Sequence, residues 1–242
     1  MLEASKSLRP YPRSGAKGRR KIRQFLQMRA NSWWAHGSFG GIVRGMAPAS
    51  STSPQSTSPG SQVVSELRTA FKSGKTRSLR WRLAQLDAMK RRLIDNQEQI
   101  IDALSADLGK PRFEAFTTEV GFLLSEIEFT QKNLATWMKP QKVKSSMVVQ
   151  PATSKIYREP LGVALVIGAW NYPLQLSLGP AIGAIAAGNC VVVKPSEVSQ
   201  NTSAIIHGLL PQYLDADCVR VVEGGIPETT DLLEQKWDYI FY

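Results

Sequence analysis

From Val163 onward, short apolar runs alternate with helix-like stretches, and this alternation restricts the fold more than any other feature of the chain. Val163 to Ile167 is wholly apolar and rich in branched residues. Leu176 to Ala187 has the composition of a helix, and Val191 to Val193 reads as a second strand. Ser199 to Leu214 reads as a helix, Val219 to Val222 as a third strand, Pro227 to Leu233 as a short helix and Tyr239 to Tyr242 as a fourth strand. A strand with one wet face alternates apolar and polar residues. Val163 to Ile167 and Val191 to Val193 do not, so both of their faces must be covered. The expected fold class is α/β, with a parallel sheet wrapped by helices.

Upstream, residues 63 to 146 carry two helical stripes. After possible N-caps at Thr76 and Ser78, Leu79, Leu83, Leu86, Leu93, Ile100, Leu104 and Leu108 recur at three- and four-residue steps. This spacing predicts one long helix ended by Gly109. Pro111 opens a second, with Phe113, Phe116, Val120, Leu123, Ile127, Leu134 and Trp137 at the same spacing, ended by Pro140. Two such stripes predict a helical pair. Residues 147 to 158 read as an extended arm, with Met147 to Val149 and Ile156 to Tyr157 as strands about a turn at Pro151. Residues 159 to 242 form the alternating domain.

Charge separates the first 62 residues from the rest. They hold ten of the thirty Lys and Arg and one of the twenty acids, hence +9 of the net +10. The remainder is close to neutral, which argues against a nucleic-acid-binding body. The leader also holds eleven serines. Arg-rich, Ser-rich and acid-poor is the pattern of an organelle transit peptide; a disordered tail, or a true start at Met46, would be the plainer origin and would leave the protein in the cytoplasm. Two cysteines cannot build a disulfide scaffold. His36 and His207 lack metal-ligand spacing, so no metal site is expected.

Ligands of an open parallel sheet bind beyond the carboxyl ends of its strands. There the chain places Gly168-Ala169-Trp170-Asn171-Tyr172-Pro173, then Lys194-Pro195-Ser196-Glu197, then Glu223-Gly224-Gly225-Ile226-Pro227. Glycines allow close backbone approach, and helix N-termini facing the ligand would suit a nucleotide. Neither G-x-G-x-x-G nor the P-loop pattern occurs. A rival is a membrane segment, because residues 160 to 193 hold no charge and Gly179 and Gly183 lie four apart. Asn171, Pro173, Gln175, Pro180 and Asn189 interrupt that stretch, so a soluble reading is preferred.

These loops carry a specific likeness. Glu159-Pro160-Leu161-Gly162-Val163, Ala169-Trp170-Asn171-Tyr172-Pro173 and Ala187-Gly188-Asn189-Cys190-Val191-Val192-Val193-Lys194-Pro195-Ser196-Glu197 resemble the N-terminal half of an aldehyde dehydrogenase. Glu223-Gly224-Gly225-Ile226-Pro227-Glu228-Thr229-Thr230 resembles the class 3 branch, which acts on fatty and aromatic aldehydes. The likeness covers residues 63 to 242. It implies a helical pair leading into an incomplete Rossmann-like sheet, NAD or NADP as cofactor, an aldehyde as substrate, and a homodimer in the full-length enzyme.

By the resemblance, Asn171 is the oxyanion-hole donor, a role worth about 3–4 kcal/mol in other enzymes. From the residues alone, Asn171 reads rather as a cap of the next helix. The resemblance gives Lys194 and Glu197 to the adenosine ribose, Ser196 beside them to the cofactor, Gly225 to the adenine, the Trp170 backbone to the cofactor channel and Tyr172 to the aldehyde. An acid at Glu197 favours NAD by repelling a 2′-phosphate. Taken without it, Lys194 and Glu197 are a solvated turn, Gly225 a turn glycine, and the aromatics core. The family's catalytic cysteine and glutamate lie in a later domain. Cys190 and Cys218 each open a buried strand and read as inert thiols. The chain is therefore expected to be inactive alone. The alternative is a non-catalytic protein that binds cofactor or joins complete subunits.

Overall fold

A computed structural model describes residues 58–242. The leader readings, the start at Met46 and His36 fall outside the described residues, apart from the last residues of the leader. There the first helix, α1 (Pro59–Lys72), begins inside the stretch assigned to the leader. The local signal is plain in retrospect. Ser58 Oγ accepts from Ser61 N, proline occupies the first helical turn, and Val64 and Leu67 are buried.

The expected long helix is two: α2 (Leu79–Asp95) and α3 (Gln97–Leu108). They break at Asn96, whose backbone leaves the helical region at φ −117°. Its side-chain amide donates to Arg92 O at 3.1 Å, an alternative bond that asparagine offers the backbone. Ser78 caps α2 by accepting from Trp81 N at 3.1 Å. Thr76 caps nothing; it sits in a 3₁₀ turn and donates to Gly188 O at 2.6 Å. The second predicted helix is α4 (Arg112–Ala115), a π-helical segment Phe116–Val120, and α5 (Gly121–Trp137) in succession.

The arm also differs. Its strands are β1 (Gln141–Val143) and β2 (Ser154–Ile156), paired antiparallel. Met147–Val149, expected as a strand, is a 3₁₀ turn capped by Ser146, with all three side chains exposed.

The alternating region is β3 (Val163–Ile167), α6 (Pro173–Ala187), β4 (Cys190–Lys194), α7 (Gln200–Tyr213), β5 (Val219–Val221), α8 (Ile226–Leu233) and β6 (Tyr239–Phe241). The sheet order is β5-β4-β3-β6, parallel throughout, with Val163 opposite Cys190 and Ala164 opposite Tyr239. The uncharged stretch 160 to 193 is thus a strand, a 15-residue helix and a strand, and among the described residues no helix is long and apolar enough to cross a membrane.

The strand order steps outward from β3 to β5, then returns to β6 on the far side of β3. Right-handed crossovers put α6 and α7 on one face and α8 on the other. The α6–α7 layer packs with α2, α3 and α5, while α1 joins α8 and touches β3 and β4. This double cover explains the unbroken apolar strands: Val163 to Val166 and Cys190 to Val193 are buried. Leu86, Met89, Leu123 and Ile127 interlock with Leu174, Leu178 and Ile185 in the same core. Gly188 ends α6 at φ +88°, and a side chain there would come within 2.5 Å of the buried Arg82 guanidinium, which donates to Thr76 O and Ala186 O.

Candidate functional site

The reversal of strand order makes the carboxyl end of β3 a topological switch point, where connections leave for opposite faces, the usual place for a ligand in such sheets. The loop after β3 carries Trp170, Asn171 and Tyr172. The loop after β4 carries Ser196 and Glu197, and Lys194 is the last residue of β4. Gly225 precedes α8. All the residues singled out in the sequence therefore lie along one sheet edge.

Side chains and backbone bind the loops together. Gly168 N donates to Lys194 O at 2.9 Å, and Ser199 Oγ donates to Trp170 O at 3.0 Å. Ser203 Oγ donates to Glu223 Oε1 at 2.7 Å, joining α7 to the third loop. Gly168 is required for close approach, because a Cβ there would collide with Ser177 Oγ.

Lys194 is not in a solvated turn. It is 2% exposed, and its Nζ lies 2.5 Å from Oε2 of Glu197, whose side chain is 50% exposed. The hydrogen bond from Lys194 holds the Glu197 carboxyl below the usual carboxylate range. Ser196 is buried and its Oγ accepts from Val198 N at 3.2 Å, shaping the turn. Trp170 is exposed. Nothing lies within 4 Å of a Cβ built on Gly225.

Asn171 is exposed, and its side chain forms no cap on α6. The cap comes from elsewhere. Glu119, fully buried in the π-helical segment, accepts at Oε2 from Leu174 N at 2.8 Å and Gln175 N at 3.1 Å. Its Oε1 lies 2.5 Å from Lys110 Nζ. Lys110 also donates to Asn171 O at 3.0 Å and stands 4.0 Å from the centre of the Tyr172 ring.

The N-termini of α6 and α7 are therefore not open to a ligand, unlike the expectation from sequence. Glu119 fills that of α6. Asp107 fills that of α7, accepting from Asn201 N at 3.0 Å and Thr202 N at 2.7 Å. Glu228 takes Gly225 N at 2.8 Å, ahead of α8. Sequence reading missed Lys110, Glu119 and Asp107. The one available hint was an acid, Glu119, beside Val120 on an apolar stripe.

Cys190 and Cys218 are both fully buried. The hydrogen bond with the neighbouring Cys218, and then burial, push the Cys190 thiol up. Among the described residues no cluster of His, Cys, Asp or Glu could hold a metal ion.

A parallel sheet covered by helices on both faces, with its loops gathered at the carboxyl ends of the strands, defines a domain of the α/β class. The chain belongs to the aldehyde dehydrogenase family, whose model it matches over residues 55–239. It is 51% identical over 180 residues to an aldehyde dehydrogenase of Craterostigma plantagineum, covering 74% of this chain and 38% of the relative. It is 50% identical to aldehyde dehydrogenase family 3 member H1 of Arabidopsis thaliana, covering 75% and 38%. The substrate-bound structure of Staphylococcus aureus AldH superposes with a TM-score of 0.73 at 37% identity, covering 75% and 40%. The chain thus spans about 38% of the length of the curated relatives it matches.

Proposed function

We propose that this chain supplies the nucleotide-ribose contacts and the oxyanion donor of an NAD(P)-dependent aldehyde dehydrogenase of the class 3 branch, which oxidises fatty or aromatic aldehydes to carboxylic acids. The observation that carries this reading is the Lys194–Glu197 pair, ammonium inside and carboxylate outside, on the sheet edge beside the Asn171 loop. That donor set fits a vicinal diol: the carboxylate accepts from a ribose hydroxyl and the fixed ammonium donates. Open space over Gly225 fits a flat ring approaching the backbone. The carboxylates that fill the N-termini of α6 and α7 leave the phosphates to other groups.

The cofactor, when bound, accepts hydride from the substrate. Trp170 lines its channel through the backbone and Ser196 holds the turn that aims Glu197. Asn171 donates its amide N–H to the aldehyde oxygen as that oxygen gains negative charge. Tyr172 faces the aldehyde. Cys190 and Cys218 are fully buried, out of reach of a substrate, so the nucleophile and the general base come from the part of the relatives' length that this chain does not span. On this reading the chain does not turn over aldehyde by itself.

Glu197 disfavours a 2′-phosphate and so favours NAD, whereas a dog relative, 46% identical, is named dimeric and NADP-preferring; both cofactors stay in the proposal. The same name supports a homodimer, joined here through β1–β2 and the exposed Met147, Val148 and Tyr157. The Arg- and Ser-rich leader is read as an organelle address, supported by a chloroplastic Arabidopsis relative at 48% identity.

Calorimetric titration of NAD and NADP into the purified chain tests the reading. Binding that is lost in Lys194→Met and in Glu197→Gln supports it. Undiminished affinity in both variants would sink it.

A further inference from the structure

We propose that Lys110 and Glu119 are positioning residues for the Asn171 loop, a role that rests on the oxyanion reading of Asn171. The two side chains are 8% and 0% exposed, and both carboxylate oxygens of Glu119 are engaged. Lys110 Nζ contacts Glu119 Oε1 at 2.5 Å and Asn171 O at 3.0 Å, and presents its remaining charge to the Tyr172 ring at 4.0 Å. Glu119 Oε2 takes the amides of Leu174 and Gln175, in the first turn of α6.

Such a pair is a poor way to gain stability. Desolvating two charges offsets most of their attraction, and an apolar pair of similar volume often serves as well. What an apolar pair cannot do is grip a carbonyl and two amides at fixed positions. Here the gripped groups flank Asn171. Lys110 holds the Asn171 carbonyl, Ser199 Oγ holds the preceding carbonyl of Trp170 at 3.0 Å, and Glu119 holds the helix start after Pro173. The Asn171 backbone is thus fixed by three elements while its side chain stays exposed.

The π-helical segment makes this possible. Wider turns of this kind recur at functional sites because they redirect side chains. In Phe116–Val120 the segment buries Glu119 and Val120 while Phe116 stays 37% exposed. A carboxylate from the predominantly apolar buried stripe is thereby delivered to the foot of α6.

The test uses the full chain and four variants: Glu119→Gln, Lys110→Met, the apolar pair Lys110→Met/Glu119→Leu, and Asn171→Ala. Backbone amide exchange and the Asn171 side-chain NH₂ resonances are followed by NMR, with thermal unfolding alongside. The expected result for the apolar pair is cooperative unfolding near the wild-type temperature, amide exchange at Leu174 and Gln175 at least tenfold faster, and a displaced Asn171 NH₂ signal. Glu119→Gln, which keeps an acceptor for the amides, should restore most of the protection. Unchanged exchange and an unchanged Asn171 signal would overturn the proposal. So would a loss of protection spread evenly over β3 and β4, since that is the mark of a merely structural pair. Should the apolar pair fail to fold, Lys110→Met alone is read: a displaced Asn171 NH₂ signal supports the proposal and an unchanged one overturns it. Asn171→Ala should leave Leu174 and Gln175 protected; whether Asn171 serves turnover is decided separately, so the two readings can fail independently.

Discussion

Lys194 Nζ and Glu197 Oε2 meet at 2.5 Å, with the lysine 2% exposed and the glutamate side chain 50% exposed. The pair is therefore asymmetric, a fixed buried donor behind a carboxylate that water and ligand can reach. Loss of one charge-assisted hydrogen bond costs about 1.5–3 kcal/mol, roughly ten- to a hundredfold in affinity. Lys194→Met and Glu197→Gln should each weaken NAD binding by that factor in a calorimetric titration.

The same pair sets a pH dependence. The Glu197 carboxyl is held below its ordinary value by Lys194. A depressed carboxylate keeps its charge, and its share of binding, above the unperturbed value of about 4.3, and loses it only as the pH falls through the lower folded value. NAD affinity should therefore be flat from about pH 8 to pH 5 as far as Glu197 is concerned. A decline centred between pH 6 and 7 would point to another group.

Asn171 should matter for rate and not for cofactor affinity. Residues 58–242 can replace the matching segment of an active class 3 relative. In that chimera Asn171→Ala should lower kcat about 10²- to 10³-fold with the KM for cofactor near its starting value, measured by nucleotide reduction at saturating aldehyde.

Asp107 should stabilise α7. Burial pushes its carboxyl up, but hydrogen bonds from Thr202 and Asn201 outweigh this and hold it below the usual range. Loss of an N-cap costs about 0.5–2 kcal/mol. Urea unfolding of Asp107→Ala should show a deficit of that size that is constant above about pH 4 and shrinks below it, as the wild-type carboxylate takes up its proton.

Cys190 and Cys218, the two cysteines of the chain, are both 0% exposed. Thiol titration with an aromatic disulfide reagent should find none in the native chain and two after denaturation. Rapid native labelling of either would show that the β4–β5 edge opens readily.

Local pattern alone determined the fold class, the strands Val163–Ile167 and Cys190–Lys194, and the three loops at their carboxyl ends. Periodicity, prolines and cap residues act within a few positions, so one stretch of sequence contains the whole signal. The helical break at Asn96 and the start of α1 at Ser58-Pro59 were local signals too, carried by residues that offer the backbone a particular bond. The tertiary structure decided the rest. It paired Ser154–Ile156 with Gln141–Val143 in place of Met147–Val149. It brought Glu119 to the amides of α6 across 55 positions and Asp107 to those of α7 across 95. The groups these carboxylates bind are backbone N–H donors, which every residue but proline carries. No residue type marks the partner, so such a contact leaves no pattern in the sequence and exists only once the helices have packed.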